Sequence, residues 1–263
     1  MRRRFGKYEG LGNDFVVIDA PSRAVTAGDA VRLCDRRRGI GADGVLVVSE
    51  EGDGVRMRVL NADGSVPEMC GNGIRCVALH VAIARGLQRG TLVIATDAGP
   101  RACEIERSGD RASVRVDMGE VRFVGERAID VGAERVTVAV GDAGNPHAIL
   151  FGAFDDARID ELGPRIATHA AFPAGTNVEF ARVHDGAIDL VVWERGVGRT
   201  LACGTGACAT AVVAREKRLV RAPRVRVSLP GGDLEIEPSG GSTFMTGPAR
   251  LVFRGELDEG EPE

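Results

Sequence analysis

Two stretches decide the reading: Cys70-Gly71-Asn72-Gly73-Ile74-Arg75-Cys76-Val77-Ala78 and Cys203-Gly204-Thr205-Gly206-Ala207-Cys208-Ala209-Thr210-Ala211. Each is C-G-x-G running into an apolar segment. The first predicts a helix from about Asn72 to Ala84, with Ile74, Val77, Ala78 and Val81 on one face and Gly86 as its stop. The second predicts a helix from about Thr205 to Arg218, with Cys208, Ala211 and Val212 at the same spacing and Lys217 and Arg218 in its last turn. Cys203 follows Cys70 by 133 residues in a chain of 263. That repeat implies two similar halves, each placing one cysteine at a helix start. The crossover is expected near Asp117-Met118-Gly119-Glu120, giving one domain from 1–117 plus about 247–263 and a second from 118–246.

Outward from the helices the chain reads as short strands. Val16-Val17-Ile18, Val45–Val48, Val55–Val59, Leu92-Val93-Ile94, Val114-Arg115-Val116, Val136–Val140, Ile188–Val192 and Val225-Arg226-Val227 are β-branched or alternating. Asp53-Gly54, Asp63-Gly64, Asp185-Gly186 and Pro230-Gly231-Gly232 supply turns between them. Further helices are expected over Asp29–Arg36 and Asp160–Thr168. The fold class is α+β and β-rich.

Composition removes several functions. The formal charge is −4, with no strongly basic block, and aromatic residues make up only 4% of the chain. Neither electrostatic nucleic-acid binding nor base stacking is favoured. No apolar run approaches the roughly 18 residues that cross a bilayer. The basic start from Met1 to Lys7 is followed by an acidic, Gly-rich stretch rather than the apolar core of a signal peptide, so the expectation is a cytoplasmic protein. Lys7 and Lys217 are the only lysines. Neither the extreme N-terminus nor the end of a surface helix suits a pyridoxal-phosphate Schiff base. The six cysteines lack zinc-ribbon spacing, and no metal is expected. Gly39-Ile-Gly41-Ala-Asp-Gly44 fits G-x-G-x-x-G, but it leads into a strand rather than a helix and reads as a turn. Arg36-Arg37-Arg38 reads as a solvated helix end.

The cysteines carry the chemistry. A thiol at a helix N-terminus faces unpaired N–H groups and the positive end of the dipole, both of which favour thiolate. The same N–H groups can hold a carboxylate. If two such helix starts flank one α-carbon, a thiolate removes its proton while the opposite thiol supplies one, and the centre inverts. Cys34, Cys76, Cys103 and Cys208 read as small buried apolar residues. A redox pair is the alternative for Cys70 and Cys203.

Asn61-Ala62-Asp63-Gly64-Ser65 leading to Met69-Cys70-Gly71-Asn72-Gly73, together with Ala202-Cys203-Gly204-Thr205-Gly206-Ala207-Cys208, resembles the diaminopimelate epimerase family. Gly10-Leu11-Gly12-Asn13-Asp14-Phe15, Arg38–Gly44, Gly144-Asn145-Pro146-His147, Thr176-Asn177-Val178-Glu179-Phe180 and Glu194-Arg195-Gly196 extend the resemblance in order over nearly the whole chain. It implies two pseudo-symmetric domains, each a β-barrel-like sheet around a central helix. It also implies a cofactor-independent two-base isomerase that converts LL- to meso-diaminopimelate in lysine and cell-wall precursor biosynthesis, and a homodimer. The resemblance makes Cys70 and Cys203 the acid/base pair, with His147 and Glu194 beside the reacting centre. Asn13, Asn61, Asn145, Asn177, Glu194 and Arg195 match substrate-holding positions, and Gly71-Asn72 and Gly204-Thr205 match cradles for the reacting carboxylate.

Taken singly, these residues have blander readings. Asn145 before Pro146 suits a turn, His147 a satisfied core imidazole, and Glu194-Arg195 an exposed ion pair. The sequence also departs from the family. Gly44 and Thr205 stand where some members carry Gln and Ser, and Phe253 where some carry Tyr at a dimer interface. A racemase of another amino acid and a thiol redox protein remain the alternatives. A proline-racemase type would carry His where Asn72 stands.

Overall fold

The computed structural model describes residues 2–20, 24–52 and 54–258. Met1, the Asp53 of one turn and residues 259–263 of the acidic tail lie outside them. The chain divides into two units, the first running to Val116 and resuming at Gly247, the second running from Asp117 to Thr246.

The first unit contains β1 (Arg2–Gly10), β2 (Asn13–Asp19), α1 (Ala27–Cys34), β3 (Gly44–Glu51), β4 (Gly54–Asn61), α2 (Gly71–Ala84), β5 (Arg89–Thr96), β6 (Gly99–Ser108) and β7 (Arg111–Asp117). The second contains β8 (Arg122–Val131), β9 (Glu134–Asp142), β10 (Pro146–Phe151), α3 (Asp156–Ala167), β11 (Asn177–His184), β12 (Ala187–Glu194), β13 (Gly198–Thr200), α4 (Gly204–Glu216), β14 (Val225–Leu229) and β15 (Gly232–Ser239). The last strand, β16 (Ser242–Asp258), serves both. Its residues 242–246 pair with β15, and those from Arg250 onward pair with β1.

In the first unit β1 to β7 follow one another across the sheet, and β16 joins β7 back to β1, closing an eight-stranded ring. Helix α2 packs against β1 to β6, inside that ring. In the second unit the order is β8-β9-β10-β11-β12-β14-β15-β16, with α4 packed against seven of the eight. The two units repeat one pairing scheme. Strands β2 and β3, and β4 and β5, run parallel, as do β10 and β11, and β12 and β14. Antiparallel pairs are β16–β1, β1–β2, β3–β4, β5–β6 and β6–β7 in the first unit, and β8–β9, β9–β10, β11–β12, β14–β15 and β15–β16 in the second.

The eight strands expected from β-branched runs all fall inside observed strands. Several of the others were hidden by composition. β1 is basic, β6 and β8 are heavily charged, and β16 contains glycine and proline. The central helices differ from their expected one-faced pattern. In α2, Gly71 to Leu79 are all buried, and in α4 so are Gly204 and every residue from Gly206 to Ala214. A helix enclosed by strands has no wet face, and the small residues of α4 let the strands pack tightly around it. Lys217 therefore ends an enclosed helix rather than a surface one, and it pairs with Glu126. Lys7 is buried and bridges Asp14 and the Gly41 carbonyl oxygen. Among the described residues, no helix is long and apolar enough to cross a membrane.

The outer helices begin earlier than their apolar residues suggest. Thr26 and Asp29 form a capping box at α1, and Asp155 caps α3 by accepting from the Arg158 N–H. Within α3, Gly163 lies under the Trp193 ring, where an added Cβ would come within 2.7 Å of the indole. Helix propensity alone would favour alanine there by about 1 kcal/mol. Overpacking typically costs about 1–3 kcal/mol and should prevail. Gly163→Ala is therefore expected to destabilise the protein in denaturant unfolding; a stabilised variant would refute this account of the α3–β12 contact.

Candidate active site

Both C-G-x-G motifs cap the enclosed helices. Cys70 is the N-cap of α2 and Cys203 that of α4, each with extended backbone, at φ −136° and −126°. An enclosed helix start leaves its first N–H groups without water, so the cap residue and any bound anion must satisfy them. Cys70 Sγ accepts from the Gly73 N–H at 3.3 Å. Cys203 Sγ lies 3.5 Å from Thr205 Oγ1, so the hydroxyl at this position faces the sulfur.

Around Cys70 the polar groups form a directional chain. Arg75, fully buried, donates to the Pro248 and Gly71 carbonyl oxygens and to Asn72 Oδ1, at 3.0–3.1 Å. Asn72 Nδ2 donates to Asn13 Oδ1, and Asn13 Nδ2 donates to Asp43 Oδ2 at 2.7 Å. A guanidinium can only donate and a carboxylate only accept, so the two ends fix both amides between them. Arg36 anchors the acidic end by bonding Asp14 and Asp43, and is thus not merely a solvated helix end. Burial alone would raise the Asp14 carboxyl, but Arg36 and Lys7 hold it down at about 2. Asn61 closes the loop after β4 through Ser65 Oγ. At Gly44 an added Cβ would meet the Leu60 carbonyl oxygen at 2.9 Å, so a longer residue there requires the backbone to shift.

The second unit places different residues at the matching points. Phe15 pairs with Gly44 and Gly44 with Asn61; His147 pairs with Asn177, which precedes the Val178–Trp193 pair and so stands opposite Glu194. His147, fully buried, has Nδ1 2.6 Å from Glu179 Oε1 and Nε2 3.0 Å from Asn145 Oδ1. The Asn177 side-chain oxygen accepts from the Arg195 N–H at 2.9 Å. Glu194 and Arg195 do not form the exposed pair that adjacency allowed. Glu194 is largely enclosed and accepts from Thr200 Oγ1 at 2.6 Å, while Arg195 reaches the Ala174 carbonyl oxygen.

Electrostatics here run against the helix-start expectation. Burial pushes the Cys203 thiol well above its ordinary range, and the carboxyls of Glu194 and Glu179 push it further. The Thr205 hydroxyl and Gly206 N–H oppose this without prevailing. Burial likewise raises Glu194, against the Thr200 hydroxyl, and raises Glu179, against His147. The remaining cysteines behave as core. Burial raises Cys34 to about 11 and Cys103 to about 12, and Cys76 and Cys208 are fully buried. Among the described residues, no cluster of three or more His, Cys, Asp or Glu side chains is arranged to hold a metal.

Sequence reading missed Glu179, Arg75 and Asp43 as members of these networks. The first two did leave a signal: a charge inside a continuous apolar run, between Val178 and Phe180 and between Ile74 and Cys76, needs a partner in the core.

The same fold recurs in solved structures of low sequence identity. A hydroxyproline epimerase from Agrobacterium vitis with bound trans-4-hydroxy-L-proline superposes with a TM-score of 0.75 over 99% of this chain and 94% of that one, at 15% identity. A methylitaconate Δ-isomerase does so at 0.66 over 98% and 95%, at 13% identity. Sequence narrows the class. The diaminopimelate epimerase family model matches residues 5–124 and 139–252. The diaminopimelate epimerase of Desulforudis audaxviator is 48% identical over 96% of this chain and 98% of its own length. That of Synechocystis is 41% identical over 98% and 100%. The chain belongs to the diaminopimelate epimerase family.

A buried, raised thiol should alkylate slowly. At pH 8 Cys203 is expected to react with iodoacetamide more slowly than a free cysteine, since burial and the neighbouring carboxyls disfavour its thiolate. Peptide mass spectrometry over time checks this, and a rate equal to that of free cysteine would contradict the electrostatics described.

Proposed function

We propose that the chain epimerises LL-diaminopimelate to meso-diaminopimelate by two-base proton exchange between Cys70 and Cys203, without a cofactor. The observation that carries the reading is the repeated device itself: an enclosed helix in each unit, capped by a cysteine of a C-G-x-G motif. The family and the names of its relatives supply the substrate.

In this reading the first-turn N–H groups after each cysteine, at Gly71-Asn72 and Gly204-Thr205, receive the α-carboxylate and stabilise the charge that develops on it. Cys203, held as the thiol, begins as proton donor, and Cys70 as thiolate removes the α-proton from the opposite face. One S–H bond forms as the C–H bond breaks; the other S–H breaks as the new C–H bond forms. No electrons leave the system. His147 and Glu194 set the charge around Cys203. Asn13, Asn61, Asn145, Asn177, Glu194 and Arg195 hold the substrate's two amino-acid heads, its carboxylates to Arg and amide N–H groups and its ammonium groups to carboxylate and amide oxygens. The reading extends to a cytoplasmic homodimer on the strength of the family resemblance. The half-exposed Val252 and Phe253 on β16, with Phe253 edge-on to Phe5 at 6.0 Å, are apolar groups such an interface would cover.

Incubating the reduced protein with LL-diaminopimelate in deuterated water should place deuterium at the α-carbon without added pyridoxal phosphate. Cys70→Ala and Cys203→Ala should each lower turnover by at least about 100-fold, the scale expected for loss of a general acid or base. Cys34→Ala should stay within a few-fold of wild type. Retained turnover in either of the first two variants would overturn the two-base assignment.

A further inference from the structure

Glu179 has no part in the chemistry just described, yet its carboxyl is fully enclosed in the second unit. It is fully buried in β11, between Val178 and Phe180. Oε1 meets His147 Nδ1 at 2.6 Å, whereas Oε2, also buried, has no hydrogen-bond partner among the described residues. A cost of about 1–3 kcal/mol attends an unsatisfied buried acceptor, more for a charged one, so hydrophobic packing alone does not account for a carboxyl here. Gly206, in the first turn of α4, makes room for it. An added Cβ would stand 2.7 Å from Glu179 Oε1 and 3.3 Å from Cys203 Sγ. The missing side chain thus lets the carboxyl and the cysteine share one corner.

The first unit shows what such a group does. There Asp43 terminates a hydrogen-bond chain that sets the amide of Asn13. Asn145 occupies the matching point before β10, and its side-chain oxygen meets His147 Nε2. With Nδ1 engaged by Glu179, the imidazole cannot rotate, and Nε2 donates to the Asn145 oxygen. That leaves the Asn145 amide N–H groups directed away from the ring.

We propose that Glu179 is a positioning residue for the reaction: its buried carboxyl locks the His147 ring and, through it, the amide of Asn145, and it sits as a second negative group behind Cys203. The proposal rests on the two-base reading and deepens it. The groups facing Glu179 are His147 from β10, Glu194 from β12 and Cys203 at the cap of α4. Removing its charge relieves a repulsion on the Cys203 thiolate, so the limb of the pH profile carried by Cys203 should move to lower pH. The converse substitution, Gly206→Ala, should force the carboxyl away from its place and impair turnover as well.

The test compares wild type with Glu179→Gln, which keeps the shape and removes the charge, and with Glu179→Asp, which keeps the charge and withdraws it. Turnover and α-deuterium exchange are measured across pH, and the His147 ring nitrogens are followed by ¹⁵N NMR. Glu179→Gln is expected to lower kcat about 10- to 100-fold, as loss of a buried partner of a working imidazole does, with the Cys203 limb displaced downward and the His147 nitrogen signals changed. Glu179→Asp should recover part of kcat. Wild-type His147 should show both ring nitrogens hydrogen-bonded, a measurement that needs no variant. An exchanging, unbonded ring in wild type, or an unaltered kcat and pH profile in Glu179→Gln, would overturn the assignment. Absence of exchange in wild type would instead remove the two-base reading beneath it.

Discussion

A helix surrounded by strands has nowhere to send the N–H groups of its first turn. That constraint organises the molecule. Elsewhere on a protein, water would satisfy those donors; where strands enclose the helix, the cap residue or a ligand takes its place. Here the caps are cysteines, whose sulfurs are poor acceptors. Gly73 N–H settles for a 3.3 Å contact to Cys70 Sγ, and Thr205 brings its hydroxyl up to Cys203. The glycines that follow keep the approach open, so each unit retains donors suited to an anion at the point where its thiol lies.

The polar networks behind the two caps solve the same problem with different residues. The first unit fixes Asn13 between a buried guanidinium and an anchored carboxylate. The second fixes Asn145 through an imidazole and a buried carboxyl. The matching register of β2-β3-β4 and β10-β11-β12 sets Gly44 against Asn177 and Asn61 against Glu194 in place. The duplicated scaffold has therefore diverged in charge. The network behind Cys70 pairs Arg75 and Arg36 with Asp43 and Asp14, whereas Cys203 is faced by the carboxyls of Glu194 and Glu179. At Cys203 burial first, and then the carboxyls of Glu194 and Glu179, raise the thiol against the Thr205 hydroxyl and the Gly206 N–H.

Much of this was legible in the residues. The doubled C-G-x-G marked both caps and the duplication, and β-branched runs marked half of the strands. The strands that escaped notice, such as β6 and β8, present charged residues to solvent on alternate positions, so their apolar content is diluted below recognition. The enclosure of α2 and α4 was also hidden, since Ala, Gly and Thr are compatible with either a buried or a half-exposed helix. Glu179 and Arg75 could be suspected as charges within apolar runs, but their partners, His147 and Pro248, are supplied by pairing and packing that no local spacing encodes.

The route of β16 has a consequence for biosynthesis. The second unit is built from one uninterrupted stretch of chain, Asp117 to Thr246, whereas the first lacks its eighth strand until the residues after Gly247 arrive. Arg75, in the earlier helix, waits on the Pro248 carbonyl for one of its bonds. The half that leaves the ribosome first is thus completed last, and the later half can reach its finished form while its predecessor is still an open sheet.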